Sequence, residues 1–478
     1  MHSKSFSRRS ALATGVAAAA AASHVRPLRA QNRADVLVIG AGLSGLNAAM
    51  LLEEQGFNVQ VIEGRERIGG RLFSLHHIPG SPEAGGNTIG TGYGRMIDIL
   101  QRLDIPHMNV MPRGMKFPYE LYMDGEHITG EQWKSHHKNI MPDEFKALPP
   151  WILGPVLLGQ TNRLDSFEDW YDPKSAQHDI SVYEVLKGLG LNDAQISLAF
   201  EFNISYGTSA HDVSALMMWF NDGWINSMRD GGPVQWAAVG GNMNIPEAMA
   251  ATLNNEIHLG REVAGIRSDN SGAEVVCHDG TVYRADFVVC SIPMPILRYV
   301  GFDPFLPGPQ AKAIRTVPYF PMTQVHFTAK EPFWEADGNS PDMWTDTVAG
   351  HVIGNMHNVD NDDITSFTAW ARGFTAVRLD QLDREEAQAW VISEIERIRP
   401  AAKGKIEAHY IKSWVRDPFA GGDYAIWGPG QVSEFINEVG KPHGRIHFCG
   451  EHTALSNRGM EGAMESGERA AFDILSAA

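Results

Sequence analysis

The stretch whose reading decides the fold runs from Ala34 to Arg71: ADVLVIGAGLSGLNAAMLLEEQGFNVQVIEGRERIGGR. Val36 to Ile39 is a short apolar run, and Gly40-Ala41-Gly42-Leu43-Ser44-Gly45 follows it at once. The pattern predicts a buried strand, a helix from about Leu43 to Glu54, and a second strand ending at Glu63. Strand, G-x-G-x-x-G, helix, strand and a terminal acid about 20 residues on make up the dinucleotide-binding fingerprint. Gly40 permits the tight turn, Gly42 lets backbone approach a pyrophosphate, and Gly45 lets helix and strand close on each other. The helix N-terminus offers unpaired N–H groups and partial positive charge to phosphates. Glu63 is placed to accept hydrogen bonds from ribose hydroxyls.

The continuation separates a flavin from a nicotinamide dinucleotide. Glu63-Gly64-Arg65 leads into Gly69-Gly70-Arg71, where glycines allow close approach and a guanidinium can meet a pyrophosphate as a fork. EAGGNTIG (Glu83 to Gly90), GGNMNIPEAMA (Gly240 to Ala250), REVAGI, SIPMPIL, EPFW, SWVRDPFAGGDY and FCGEHT…MEGAMESGERAA follow in order. This series resembles the flavin-containing amine oxidase family of monoamine oxidase, polyamine oxidase and L-amino acid oxidase relatives. In type it is most similar to bacterial exported nicotine-oxidoreductase-like members. The resemblance implies an α/β fold: a Rossmann-like FAD-binding domain of the monoamine-oxidase type, interleaved with an α+β substrate-binding domain. The flavin segments are expected at 31–95, 232–298 and 417–478. The substrate segments are expected at 96–231, mostly helical, and at 299–416.

The resemblance also implies site residues. Beyond the first motif these are Gly86 and Asn87, Val263 reaching the adenine through its backbone, and Trp414 near the flavin. Gly450 and Glu451 are expected at the ribityl or pyrophosphate part, and Met460, Gly462 and Ala463 at the start of a helix under the isoalloxazine edge. A positive helix end there favours the charge that reduced flavin develops. Two aromatic rings often flank the path to the flavin in this family. The first corresponds to Tyr424, whereas Gly459 stands at the second position, and Trp427 is the nearest ring in sequence that could substitute. Asp423 occupies the place of the cysteine that attaches FAD in monoamine oxidases, so non-covalent FAD is expected. Arg298 or Tyr299 stands where many members keep a lysine, which leaves O₂ or a periplasmic electron carrier as acceptor. Arg95 is expected in a structural contact rather than on a substrate carboxylate.

The implied reaction is oxidation of a small-molecule amine, by hydride transfer from the C–H next to nitrogen to flavin N5. The resulting imine hydrolyses to an aldehyde or ketone, or persists if cyclic. A same-fold flavoprotein acting on C–C bonds, a desaturase or isomerase, and a flavin-binding protein without catalysis remain open at this stage.

At 478 residues the chain predicts two or more domains, with 43% apolar and 20% charged residues as in soluble enzymes. A formal charge of −17 argues against nucleic acid and anionic lipid, and is compatible with a cationic substrate. Paired Arg8-Arg9 before an alanine-rich stretch, with LRA ending at Ala30, reads as a twin-arginine signal over 1–30 and predicts a periplasmic protein exported already folded. No later apolar run is long enough for stable membrane insertion. Cys277, Cys290 and Cys449 form no disulfide framework, the histidines show no metal-ligand spacing, and no metal is expected. A homodimer is compatible with the family.

Overall fold

Ala34–Ile39 is buried along almost its whole length, as a strand inside a parallel sheet must be. It pairs in parallel with Val59–Ile62 on one side and Val282–Cys290 on the other, with Val38 opposite Val61 and Val289. Ile446–Phe448 adds to the far side of Val282–Cys290, also in parallel, from near the chain's other end. Val263–Asp269 and Gly272–Cys277 extend the sheet as an antiparallel arm, and Gly301–Asp303 closes it to seven strands. The structure is a computed structural model that describes residues 33–110, 117–229, 231, 232, 234–356 and 363–478. The expected leader over 1–30 lies outside the described residues.

The first helix, Leu43–Glu54, and the last, Gly459–Ala477, pack together against this sheet. A Cβ on Gly467 would fall 2.2 Å from the Ser44 carbonyl oxygen, so the small residue there sets the approach. Asn47 Nδ2 donates to the Met464 carbonyl at 2.8 Å across the same seam. The small residues of MEGAMESGERAA thus have a packing reason as well as a ligand reason.

A second seven-stranded sheet runs in the order Ile406–Ser413, Met322–Ala329, Ser366–Arg372, His351–Asn355, Met343–Thr345, Glu120–Met123, Glu126–Ile128. Helix Arg384–Ile398 covers it through Ala387, Val391, Ile395 and Ile398, which pack with Phe327 and Phe367. Met217, Met218, Trp219 and Trp224, on helix Ala215–Arg229, are buried in a separate core. The α/β architecture of a Rossmann-like sheet with a second α+β layer is therefore present.

Three details correct the expected segments. Gly301–Asp303 pairs in the first sheet although the second flavin segment was expected to end at 298, because it gives Val263–Asp269 a partner on its open edge. Helix Gly94–Arg102 buries Met96, Ile99 and Leu100 in the same core as Leu46 and Met464, so the first segment's core extends beyond 95. Within the stretch expected to be mostly helical, Glu120–Met123 and Glu126–Ile128 form a hairpin. Its turn, Asp124-Gly125, has positive φ at both residues (55° and 79°), the hairpin geometry that Asp-Gly favours.

Candidate active site

The carboxyl ends of the parallel strands open into a cavity of about 560 Å³ that runs from Glu63 and Val263 at one end to Trp370 and Tyr424 at the other. Such strand ends are where open α/β sheets bind ligands. At the first end Gly40 has φ 102°, and a Cβ there would fall 2.2 Å from Ser291 Oγ, so the turn admits no side chain. Gly42 lines the cavity facing Gly70; a Cβ on Gly70 would lie 3.2 Å from Gly42 Cα. Gly45 does not line it: its Cβ would fall 2.0 Å from the Gly40 carbonyl oxygen, which places it in the helix–strand seam.

Glu63, 4% exposed, accepts from the N–H of Ala41 at 2.8 Å and from the N–H of Arg65 at 3.0 Å. Arg65 reaches Asp417 at 2.6 Å, and Asp417 also takes Lys412 at 2.7 Å. Gly64 lines the cavity with Phe419 packed on it. Val263 lines the same end, beside Arg261.

Midway, Arg71 donates to Glu451 at 2.9 Å and to the Asp423 carbonyl at 2.5 Å. Glu451 also accepts from the N–H of Ala425 at 3.1 Å. Burial pushes the Glu451 carboxyl up, but Arg71, His452 and the Ala425 N–H together hold the group below its ordinary value. Gly86, Asn87 and Gly450 line this part. Asn242 Nδ2 clamps the Gly86 and Asn87 carbonyls at 2.9 and 2.7 Å. Asn242 in turn donates its N–H to Glu83 at 2.6 Å, where burial pushes the carboxyl up to about 7.

Trp414, expected near the flavin, does not line the cavity. It is fully buried, donates from Nε1 to the Ala84 carbonyl at 2.7 Å, and so holds the loop that Gly86 and Asn87 occupy. Met460 and Ala463 line the cavity from the first turn of the last helix, with the helix's positive end behind them. Gly462 faces inward, where a Cβ would meet the Asn457 carbonyl at 2.8 Å. Arg95 pairs with Glu461 and Glu468 and stays outside the cavity.

At the far end Tyr424 donates to the Ser205 carbonyl and stacks on Phe320 at 5.0 Å between centroids. Gly459 lines the wall with φ 56°, and a Cβ there would lie 3.7 Å from Tyr93 Oη. Trp427 is not the missing ring. It is 4% exposed and packed in the core, because its backbone N–H faces Met217 and its side chain turns away from the cavity. Tyr93 and Trp370 are the further rings that line this end with Tyr424. Sequence reasoning missed both, along with Met322 and Arg372, since each lies on an ordinary strand or loop with no motif around it. Tyr299 lines the cavity, and no lysine among the described residues does. Asp423 lines it as well, and burial pushes its carboxyl up to about 7 against the pull of Arg71.

These residues fit FAD. The cradle between Gly42 and Gly70 is one that a side chain would fill, a buried acid stands at the ribose end, and the cavity is lined by segments from both ends of the chain.

The residue pattern of the flavin containing amine oxidoreductase family matches residues 43–475. The flavin-containing amine oxidase B of Homo sapiens is 27% identical over 477 residues, covering 93% of this chain and 87% of that protein. The flavin-containing amine oxidase of Danio rerio is 26% identical, covering 93% and 86%. Among solved structures, a putrescine oxidase redesigned in its cofactor binding superposes with a TM-score of 0.76 at 22% identity, covering 93% of this chain and 99% of that one. Cyclohexylamine oxidase from Brevibacterium oxydans gives 0.74 at 21%, with the same coverage. With the pattern matched across most of its length and the flavin cradle built as that pattern requires, the chain belongs to the flavin containing amine oxidoreductase family and is an oxidoreductase of that class.

Proposed function

We propose that this chain oxidises an amine at the C–H next to nitrogen, with FAD held non-covalently and an imine as product, which hydrolyses to an aldehyde or ketone. The observation that carries the reading is the single cavity joining the dinucleotide cradle at Glu63 to the ring-lined end at Tyr424. Bound FAD supplies the acceptor for a hydride. The chain's residues do the rest: Gly40, Gly42, Glu63 and Val263 would hold the adenosine end, and Arg71 with Glu451 the middle. The first-turn amides of the last helix would face the ring system. Tyr93, Trp370 and Tyr424 line the end where an amine would sit, exclude water from it and favour the uncharged amine that hydride loss requires.

Asp423 in place of a linking cysteine supports non-covalent FAD. Acid precipitation should therefore release all the flavin to the supernatant, and flavin remaining on the protein would overturn this part. The absence of a lining lysine among the described residues supports slow reoxidation by O₂ and use of another acceptor, such as a periplasmic electron carrier. Arg8-Arg9 supports export by the twin-arginine route after FAD is taken up. Anaerobic mixing with a panel of amines tests the main reading. Bleaching of the flavin by at least one is expected, and admitting O₂ then times reoxidation. No bleaching by any amine would overturn the reading.

A further inference from the structure

Four arginines line the cavity, and three of them are ion-paired: Arg65 with Asp417, Arg71 with Glu451, and Arg261 with Asp279. The fourth, Arg372, makes no ion pair with any carboxylate among the described residues. It ends strand Ser366–Arg372 opposite Met322, two residues after Trp370, so all three side chains reach the ring-lined end. Its hydrogen bonds are long and go to neutral groups, Ser205 Oγ at 3.2 Å and His351 Nδ1 at 3.3 Å. A guanidinium can only donate, so His351 accepts at Nδ1 and is the neutral imidazole, which gives no countercharge. Arg372 Nε is buried with no hydrogen-bond partner among the described residues. Burial pulls this guanidinium below its ordinary value, and the Asp423 carboxyl on the same cavity and the Trp370 ring, 5.5 Å from its central carbon, offset only part of that cost.

A cation left unpaired inside a low-dielectric cavity is costly, and its natural complement is a planar carboxylate taken by the guanidinium fork. It also repels an approaching ammonium. We propose that Arg372 anchors a carboxylate carried by the substrate, so that the chain oxidises an amino acid, α or ω, in preference to a plain amine; this rests on the amine-oxidising reading above. The substrate carboxylate supplies the countercharge for Arg372; the nitrogen and its C–H, on the next carbon in an α-amino acid and at the far end in an ω-amino acid, are left toward Tyr424, and the ammonium gives its proton to solvent before hydride leaves.

Matched pairs that differ only in the carboxylate test this on the wild-type holoenzyme. Racemic phenylalanine is set against 2-phenylethylamine, racemic leucine against 3-methylbutylamine, and 4-aminobutyrate against propylamine, each by anaerobic flavin bleaching over a concentration series. In at least one pair the carboxylate member should bleach at an apparent Kd about 10- to 100-fold lower, the range expected for a charge-assisted hydrogen bond. Arg372→Gln should erase that ratio and Arg372→Lys should restore part of it, with flavin content unchanged. Plain amines bleaching as well as their partners in all three pairs would overturn the proposal while leaving amine oxidation standing. So would a ratio that survives in Arg372→Gln. Absence of bleaching by all six compounds would overturn the proposal together with the reading beneath it. Should Arg372→Gln lose its flavin, the wild-type ratios alone decide.

Discussion

Replacing Glu63 by glutamine changes one atom and should disturb both folding and flavin retention. The carboxylate is 4% exposed and takes two backbone donors on separate oxygens, Ala41 at 2.8 Å and Arg65 at 3.0 Å. Glutamine offers one acceptor and one NH₂ group. Whichever way it turns, one backbone N–H meets another donor. That orphaned buried group costs about 1–3 kcal/mol. The lost charge toward the Arg65 guanidinium, 3.6 Å away, adds little, because Arg65 keeps Asp417 at 2.6 Å. Apoprotein stability, measured by urea unfolding, should therefore fall by about 1–3 kcal/mol. If the remaining lone pairs of the carboxylate receive the ribose hydroxyls, FAD binding loses a charged acceptor as well. That is worth about 1.5–3 kcal/mol, or roughly 10- to 150-fold in Kd. Titration of apoprotein with FAD, followed by flavin fluorescence, measures it, with Glu63→Ala as the more severe companion. An FAD Kd within about twofold of wild type would refute the ribose role. An unchanged urea midpoint would refute the two-donor geometry itself.

Gly467→Ala puts a Cβ 2.2 Å from the Ser44 carbonyl oxygen and should cost about 1–3 kcal/mol by overpacking, read as a lower Tm; an unchanged Tm would show that the two helices can part freely. Gly459→Phe forces a side chain to φ 56° beside Tyr93, costs about 1–2 kcal/mol, and should slow bulky amines more than small ones in flavin-reduction assays. Equal slowing of both would place Gly459 outside the substrate path. Glu83 has its folded pKa raised to about 7, above the unfolded value of about 4.3, so its contribution to stability is present at low pH and lost as pH rises from there to about 7. Glu83→Gln should therefore gain on the order of 3 kcal/mol relative to wild type between pH 4.5 and pH 8 in urea unfolding. Parallel pH profiles for the two proteins would contradict this. Breaking the buried Arg71–Glu451 pair with Glu451→Gln should reduce flavin content on purification, since it leaves a buried guanidinium short of its countercharge.

The first motif was legible because its physics is local. A tight turn, a helix N-terminus and a strand-end acid lie within thirty residues, and the chain built them as read, with Glu63 on two backbone donors and Gly45 in the helix–strand seam. The family series likewise placed Val263, Glu451 and Met460 on the cavity. What sequence could not decide is which distant side chains the second sheet turns toward that cavity. Trp414 and Trp427 stand in the right neighbourhoods but point elsewhere, one onto Ala84 and the other into the core. Tyr93 and Trp370 line the reactive end from segments that carry no motif. Net charge was compatible with a cationic substrate, yet the local feature at that end is an unpaired guanidinium. Composition sums charges over the whole chain, while a ligand meets the few that strand pairing and burial leave uncompensated. For Arg372 that depended on strand register against Met322 and on no described acid coming close enough to form an ion pair, and only the tertiary structure decides those two things.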